Sequence, residues 1–337
     1  MKREHLTNLS SPFTGGRVIE VSDIEQKEFR KEKYSVHVRY YRCEDTGEQY
    51  TTGDQDELFC NDLYNQYRVR HGIPFPDEIR DIRERYGLNY TQISKIMGFG
   101  LNQWRQYEEG SIPNDSNARL IIAVKNKNVM KGMLEAAKEE FDDKEYLKLS
   151  DRINKTTDKS DSYENRLLFG KISRGILNGY APMDAQKVKM MVEYLIDKEG
   201  GSICPTKLNK EMFYSDFLHF RNYGVSISGL SYRAIQYGPV PSHFDTIYDN
   251  LEDIVKEHVI ISDNESVKLH LADDWSLKEG LFSHKELSTM EMVSALLRPL
   301  SVSEVVKISH EESAWDDNVQ NHGLIPYSYA FELKYGV

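Results

Sequence analysis

Cysteine, long apolar runs and positive charge are all scarce in this 337-residue chain. The three cysteines, Cys43, Cys60 and Cys204, are odd in number and far apart. That spacing excludes a disulfide framework and fits a reducing compartment. No stretch approaches the ~20 consecutive apolar residues that a membrane-spanning helix needs. The opening Met1-Lys2-Arg3-Glu4-His5 leads into polar sequence rather than the apolar core of a signal peptide. A cytoplasmic protein with no membrane partner is therefore expected. Acidic residues outnumber basic ones 54 to 43, a net charge of -11. That balance disfavours a ligand held mainly through phosphates, which calls for a basic face. Phosphate-cradling loops, the dinucleotide fingerprint and the nucleophile elbow are all missing. Cys204 precedes Pro205 and could pair with a distant His, such as His219 or His243. A buried thiol is the simpler reading. No enzyme activity and no cofactor are expected.

What is present falls into blocks. Residues 1–60 are β-rich, with strand-like segments at 17–21 and 35–42 and turns at Thr14-Gly15-Gly16 and Asp45-Thr46-Gly47. Pro76 opens a helix over 77–86 that Gly87 stops. Asn89 can cap a helix over 90–97, turning Ile93, Ile96 and Met97 inward. Amphipathic helices follow near 114–125 and 128–141. Residues 150–161 are polar and read as a linker or mobile boundary. Beyond it, helical patterns cover 185–198, 207–221, 284–297 and 302–308. Segments 259–262 and 267–271 flank Asp263-Asn264-Glu265-Ser266 as a hairpin would. The expected fold class is α+β, mostly α. It comprises a small antiparallel β subdomain (1–75), a helix-turn-helix bundle (76–141), a linker (142–164) and a mainly helical domain with a β-hairpin (165–337).

The most informative stretch is 98–110, which follows the turn Gly98-Phe99-Gly100. It has the pattern of a second helix in a helix-turn-helix. Leu101 and Trp104, at i and i+3, are expected to share its buried face. Asn102, Gln103, Arg105 and Gln106 then fall on outer faces. Asn and Gln suit the adenine edge and Arg the guanine edge, because each can make two hydrogen bonds at once. These four are the candidate DNA-binding residues. The surrounding segment is not basic: Arg80, Arg83, Arg85, Lys95 and Arg105 face Asp77, Glu78, Asp81, Glu84, Glu108 and Glu109. Affinity would then rest on dimerisation and a local stripe.

Two segments have the shape of zinc knuckles. Ser11-Pro12-Phe13-Thr14-Gly15-Gly16 and Cys43-Glu44-Asp45-Thr46-Gly47 put Ser11, Thr14, Cys43 and Thr46 where a zinc ribbon has four soft ligands. Hydroxyls are poor zinc ligands, so no metal is expected. The sheet would instead be held by Phe13, Tyr40, Tyr41 and Tyr50. Tyr237-Gly238-Pro239-Val240-Pro241 is stiffened by two prolines and cannot continue a helix. It reads either as a shaped turn between helices or as a preordered surface presenting Tyr237 and Val240. In Ser309-His310-Glu311-Glu312 a capping box is a better reading than a metal site, since no second His follows at the required spacing.

The knuckle-like turns and the run 100–110 together resemble the MqsA-type antitoxins, in which a zinc ribbon precedes a helix-turn-helix. In that family an Asn and, four residues later, an Arg read bases. Asn102 matches the first, whereas the second position is Gln106, with Arg105 beside it. The C-terminal half resembles the SocA-like, or Panacea, antitoxin domain. The carrying residues are 213–220, 227–234 and 237–241, then 308–315 and 323–327. Tyr214, Tyr232, Tyr237 and Val240, drawn from these segments, are the candidate partner-binding residues. The resemblance implies an antitoxin of a type II toxin–antitoxin pair, with a cognate protein toxin, operator DNA and a homodimer as partners. The alternatives are a stand-alone transcriptional regulator and a protease adaptor.

Overall fold

The computed structural model describes residues 2–157, 163–171, 173–251, 253–261 and 264–336. It is mostly helical with small antiparallel sheets, the α+β class expected. The chain divides into two compact units, one of residues 1–63 with 162–337 and one of residues 64–161. The boundary falls inside a helix, α1 (Gly53–His71). Among the described residues no helix is long and apolar enough to cross a membrane.

The N-terminal sheet is an antiparallel meander in the order β1 (Arg3–Ser10), β2 (Arg17–Phe29), β3 (Glu32–Cys43), β4 (Gln49–Tyr50). β2 and β3 pair over their whole length, so the expected segments are parts of longer strands. Their extension is charged and half exposed, which hid it from a reading based on apolar alternation. Phe29 pairs with Glu32, leaving Arg30 and Lys31 as a two-residue turn. Both have positive φ, 49° and 68°, the turn sense that matches strand twist. Val18, Val21, Tyr34, Val36 and Cys43 are the buried residues of this hairpin. Tyr41, Tyr50 and Phe13 form a partly exposed aromatic edge instead of the core, with ring centroids 5.4 Å and 5.9 Å apart.

The 64–161 unit packs α2 (Pro76–Arg85), α3 (Tyr90–Met97), α4 (Gln103–Glu108), α5 (Asp115–Ala123), α6 (Lys127–Ala136) and α7 (Asp143–Lys155) around Trp104. Local sequence sets their ends. Pro76 starts α2 and Glu78 accepts from the Phe75 N–H at 2.8 Å. Asn89 and Gln92 form a capping box on α3, and Gly98 ends it at φ +65°. Asn114, Asn126 and Asp142 cap α5, α6 and α7. The segment 150–155, expected in a linker, is the end of α7, because Leu149 and Ile153 at i and i+4 are buried in the core. Residues 158–161 lie outside the described residues.

The centre of this unit is a buried carboxylate. Glu108 accepts from Trp104 Nε1 at 2.8 Å, from Arg83 Nε and Nη2 at 2.7 and 2.9 Å, and from Tyr90 Oη at 3.2 Å. The Arg83 guanidinium also lies over the Tyr90 ring, 4.4 Å from its centroid. Glu108 thereby ties α4 to α2 and α3. The Glu108 hydrogen bonds hold Arg83 in its charged form, raising its pKa against the effect of burial.

The rest of the other unit begins with α8 (Tyr163–Phe169) and α9 (Ala185–Lys198). Next come β5 (Ser202–Ile203), α10 (Pro205–Tyr223), β6 (Tyr232–Ile235), β7 (Gly238–Pro241) and α11 (Phe244–Asp249). β8 (Ile254–Ile261), β9 (Asn264–Leu271), α12 (His284–Leu297), α13 (Val302–His310), α14 (Ser313–Asp316) and β10 (Leu324–Ile325) complete it. α10 is the hub: it is buried on all sides from Lys207 to Phe220 and packs against α9, α12, α13 and β7. β8 and β9 form the expected hairpin, beginning earlier than the sequence suggested, with 262–263 outside the described residues. The second sheet runs β10-β6-β7. β7 carries Pro239 and Pro241 at a sheet edge, where missing N–H donors are tolerated. The stiff segment is therefore an edge strand and not a turn between helices.

This unit includes the N-terminal sheet. Arg39 donates to Asn222 Oδ1 at 2.8 Å, and the His37 ring stacks on Phe331 at 3.5 Å. Asn61 donates to the Tyr223 carbonyl at 2.7 Å, and Lys285 reaches Asp54 and Glu57 at 2.8 and 2.6 Å. Gly224, at φ +72°, permits the approach: a Cβ there would lie 3.0 Å from Asn61 Cβ.

Glu108→Ala strips Arg83 of its buried partner and is expected to destabilise the 64–161 unit by about 3–5 kcal/mol. Denaturant unfolding of the full chain measures this, with Arg83→Ala and the double variant completing the cycle. Strictly additive losses would show that the two side chains do not act as a pair.

Candidate functional site

Three places concentrate chemistry: the outer surface of α4, the paired knuckles of the N-terminal sheet, and the β6–β7 hairpin over α10.

On α4, Trp104 and Tyr107 point into the core, where Phe99 meets both rings at 6.2 and 6.0 Å. Asn102, Arg105 and Gln106 are exposed and Gln103 is half-buried. Asn102 occupies the N-cap position without spending its side chain on a cap. Gln103 Nε2 donates to Gln106 Oε1 at 3.4 Å, and Arg105 Nε to Glu109 Oε1 at 2.8 Å. The four candidate side chains thus reach solvent, wholly or in part, and carry hydrogen-bond donors and acceptors. Leu101 departs from expectation. It is 68% exposed and not packed beside Trp104. The i, i+3 relation holds only within a helix, and α4 begins at Gln103, after Leu101.

In the knuckles, Gly15 N–H donates to the Ser11 carbonyl and Gly47 N–H to the Cys43 carbonyl, both at 2.9 Å, with both glycines at φ +76°. Thr14 Oγ1 lies 3.5 Å from Cys43 Sγ and donates to Asp45 at 2.7 Å. Hydrogen bonds from Ser11, Thr46 and Thr14 hold the Cys43 thiol down at about 6. The four ligand positions therefore converge, but on one sulfur and three hydroxyls. That donor set does not fit a structural zinc, and the described residues contain no cluster of three or more metal-ligating side chains.

Over α10, Asp216 is fully buried. It accepts from the Ile227 and Ser228 N–H groups at 2.8 Å each, from the Ser228 hydroxyl, and from Tyr232 Oη at 2.7 Å. Burial raises its pKa and these donors partly offset the rise. Glu312, raised chiefly by burial, accepts from Tyr214 Oη at 3.2 Å and from the Lys334 and Tyr335 N–H groups at 2.9 and 3.1 Å. Tyr214 and Tyr232 are thus internal, engaged with the unit's own carboxylates, and Val240 is buried too. Of the candidate partner-binding residues only Tyr237, 62% exposed in the hairpin turn, faces solvent. Ser309 makes no capping box: it lies in the last turn of α13 and donates to the Val306 carbonyl at 2.8 Å. The boxes belong to Ser283 with Glu286 and Ser301 with Glu304.

Residues 208–316 match a family model described as the antitoxin SocA-like, Panacea domain. The match runs from the first turn of α10 to the end of α14. It contains Asp216, Tyr232, the β6–β7 hairpin and Glu312. No curated protein and no solved structure matches the chain.

Within the matched segment, sequence reasoning overlooked Lys210. It is fully buried, and its Nζ has no hydrogen-bond partner. Gly238, at φ +99°, passes directly over it: a Cβ would lie 2.6 Å from Lys210 Cε and 2.5 Å from Ser309 Oγ. His310 stacks on Trp315 at 3.8 Å, and burial and the Lys210 charge push its imidazole pKa down. Asp216 carried a sequence signal, a charged residue inside the largely aromatic and apolar run 212–220, whereas Lys210, between Asn209 and Glu211, carried none.

Burial pushes the Lys210 ammonium down to about 7 from its ordinary 10.5. The unfolded chain therefore binds more protons between those values, and this residue makes stability rise with pH across that window. Lys210→Met is expected to raise stability near neutral pH and to flatten the rise between pH about 7 and 9. Denaturant midpoints of both proteins across that range measure it. Parallel pH profiles would show that the amine is hydrated in the folded state.

Proposed function

We propose that the chain is an antitoxin of a type II toxin–antitoxin pair, neutralising its toxin through the C-terminal part and repressing the shared operon through α4. The observation that carries this reading is the match of residues 208–316 to the antitoxin SocA-like, Panacea domain. Tyr237 is the residue through which the toxin is engaged: it is an exposed aromatic on a proline-stiffened edge hairpin, and a rigid aromatic anchor loses little entropy on binding. The amides and guanidinium on the outer surface of α4 support sequence-specific DNA binding, with two copies of the chain reading two half-sites.

The test is co-expression of the full chain with the small reading frame beside its gene, scoring growth and co-purification. Growth rescue with a stable complex is the expected result. A neighbour that is not toxic and forms no complex would favour a stand-alone regulator. Tyr237→Ala is expected to weaken toxin binding on the order of tenfold or more while leaving the thermal midpoint unchanged. A variant that unfolds and neutralises in proportion would assign Tyr237 to packing. Asn102→Ala and Arg105→Ala are each expected to cost about 1–3 kcal/mol of base discrimination. Operator binding equal to wild type in both would remove α4 from the reading.

A further inference from the structure

Leu101 has the greatest exposure of the large apolar side chains outside the core. Singly exposed leucines are common and need no account. This one differs in its surroundings. Its backbone is fixed: its carbonyl accepts from Ser94 Oγ at 3.4 Å, and Gln103 N–H closes the turn onto the Gly100 carbonyl at 2.9 Å. The isobutyl group is therefore presented by an ordered turn. It stands immediately before Asn102 and Gln103, on the approach to Arg105 and Gln106. The side chains of Asn102, Gln103, Arg105 and Gln106 that follow it all carry hydrogen-bonding chemistry, and Leu101 carries none.

The edges of DNA bases in the major groove offer donors, acceptors and one apolar feature, the 5-methyl of thymine. Amides and a guanidinium can read adenine and guanine but gain nothing from that methyl. An exposed leucine in the same row supplies the missing complement. We propose that Leu101 is a specificity-determining residue that packs against a thymine methyl, so that the α4 surface reads a thymine as well as purines. This inference rests on the DNA-binding reading above. The occupant is a thymine and not a protein surface, because the side chain is flanked by groups suited to base edges and not by an apolar rim.

The experiment uses the full chain and a duplex that it selects from a random pool at fixed salt. Thymines in that duplex are replaced one at a time by deoxyuridine, which removes only the 5-methyl. At one position in the half-site, wild-type affinity is expected to fall about fourfold, the factor for losing one buried methyl-sized group. Leu101→Ala is expected to bind the unmodified duplex at least that much more weakly and to be indifferent to uracil at that position. Because the uracil series uses the wild-type chain, its result does not depend on how the variant folds. No uracil-sensitive position, or a variant as sensitive as wild type, overturns the proposal. Retained DNA affinity with lost association between copies, or with the toxin, also overturns it and moves Leu101 to a protein interface. Asn102→Ala and Arg105→Ala in the same assay separate the two layers. If they lose discrimination while uracil has no effect, DNA reading stands and the thymine contact falls. A chain that selects no duplex overturns both.

Discussion

A buried carboxylate must be supplied with donors, and that constraint organises both units of this protein. A carboxylate taken out of water without hydrogen bonds costs several kcal/mol. Asp216 meets the requirement with two backbone N–H groups and two hydroxyls, all from the segment that follows α10. The chain after α10 is thereby bent back onto the helix, and β6 begins at the Tyr232 that supplies one of the donors. Glu312 repeats the arrangement from the other direction, drawing Tyr214 of α10 and the backbone near the C-terminus together. In the 64–161 unit Glu108 does the same for α2, α3 and α4. Each of these side chains converts a polar group inside a core into a directional joint, which apolar packing alone does not provide.

The same logic explains why the knuckles keep their shape around a single sulfur. In a zinc ribbon, metal–thiolate bonds hold the two turns together. Here the turns close through their own backbone hydrogen bonds, with glycines supplying the left-handed conformation. The Cys43 thiol is surrounded by hydroxyl donors. The sheet also packs within the larger unit. His37, Arg39, Asn61, Asp54 and Glu57 all reach residues of the C-terminal part.

Local rules were legible in the sequence, and side-chain destinations less so. Pro76, Asn89 and Gly98 announce their helix ends through backbone chemistry that depends on nearest neighbours alone. The β2–β3 extension was hidden because a charged strand paired along its full length shows no apolar alternation. Leu101 was misplaced because helical periodicity was extended ahead of the N-cap, where it has no meaning. Tyr214 and Tyr232 read as partner residues because they lie in the segments that carry the antitoxin resemblance, and an aromatic with a hydroxyl has an amphipathic character. The same amphipathic character lets each sit in a core when a buried carboxylate awaits its O–H, and no nearest-neighbour pattern reveals that a distant Asp216 or Glu312 is there. A charged residue set in an apolar helical run, as at Asp216, was one overlooked sign.

The acidic balance of the chain bears on how α4 could read DNA at all. With a net charge of -11, long-range attraction to phosphates is weak, and counterion release supplies little of the binding free energy. In the free protein even Arg105 is already engaged by Glu109, in an exposed pair that costs little to exchange. A guanine edge offers Arg105 two acceptors in place of one carboxylate oxygen, whereas a bare phosphate must compete with Glu109 and its charge. For the proposed DNA-binding role, non-specific binding would therefore be suppressed more than specific binding. In the proposed DNA-reading role, discrimination would rest on short-range complementarity, with the exposed amides, the guanidinium and the outward-facing leucine acting on base edges.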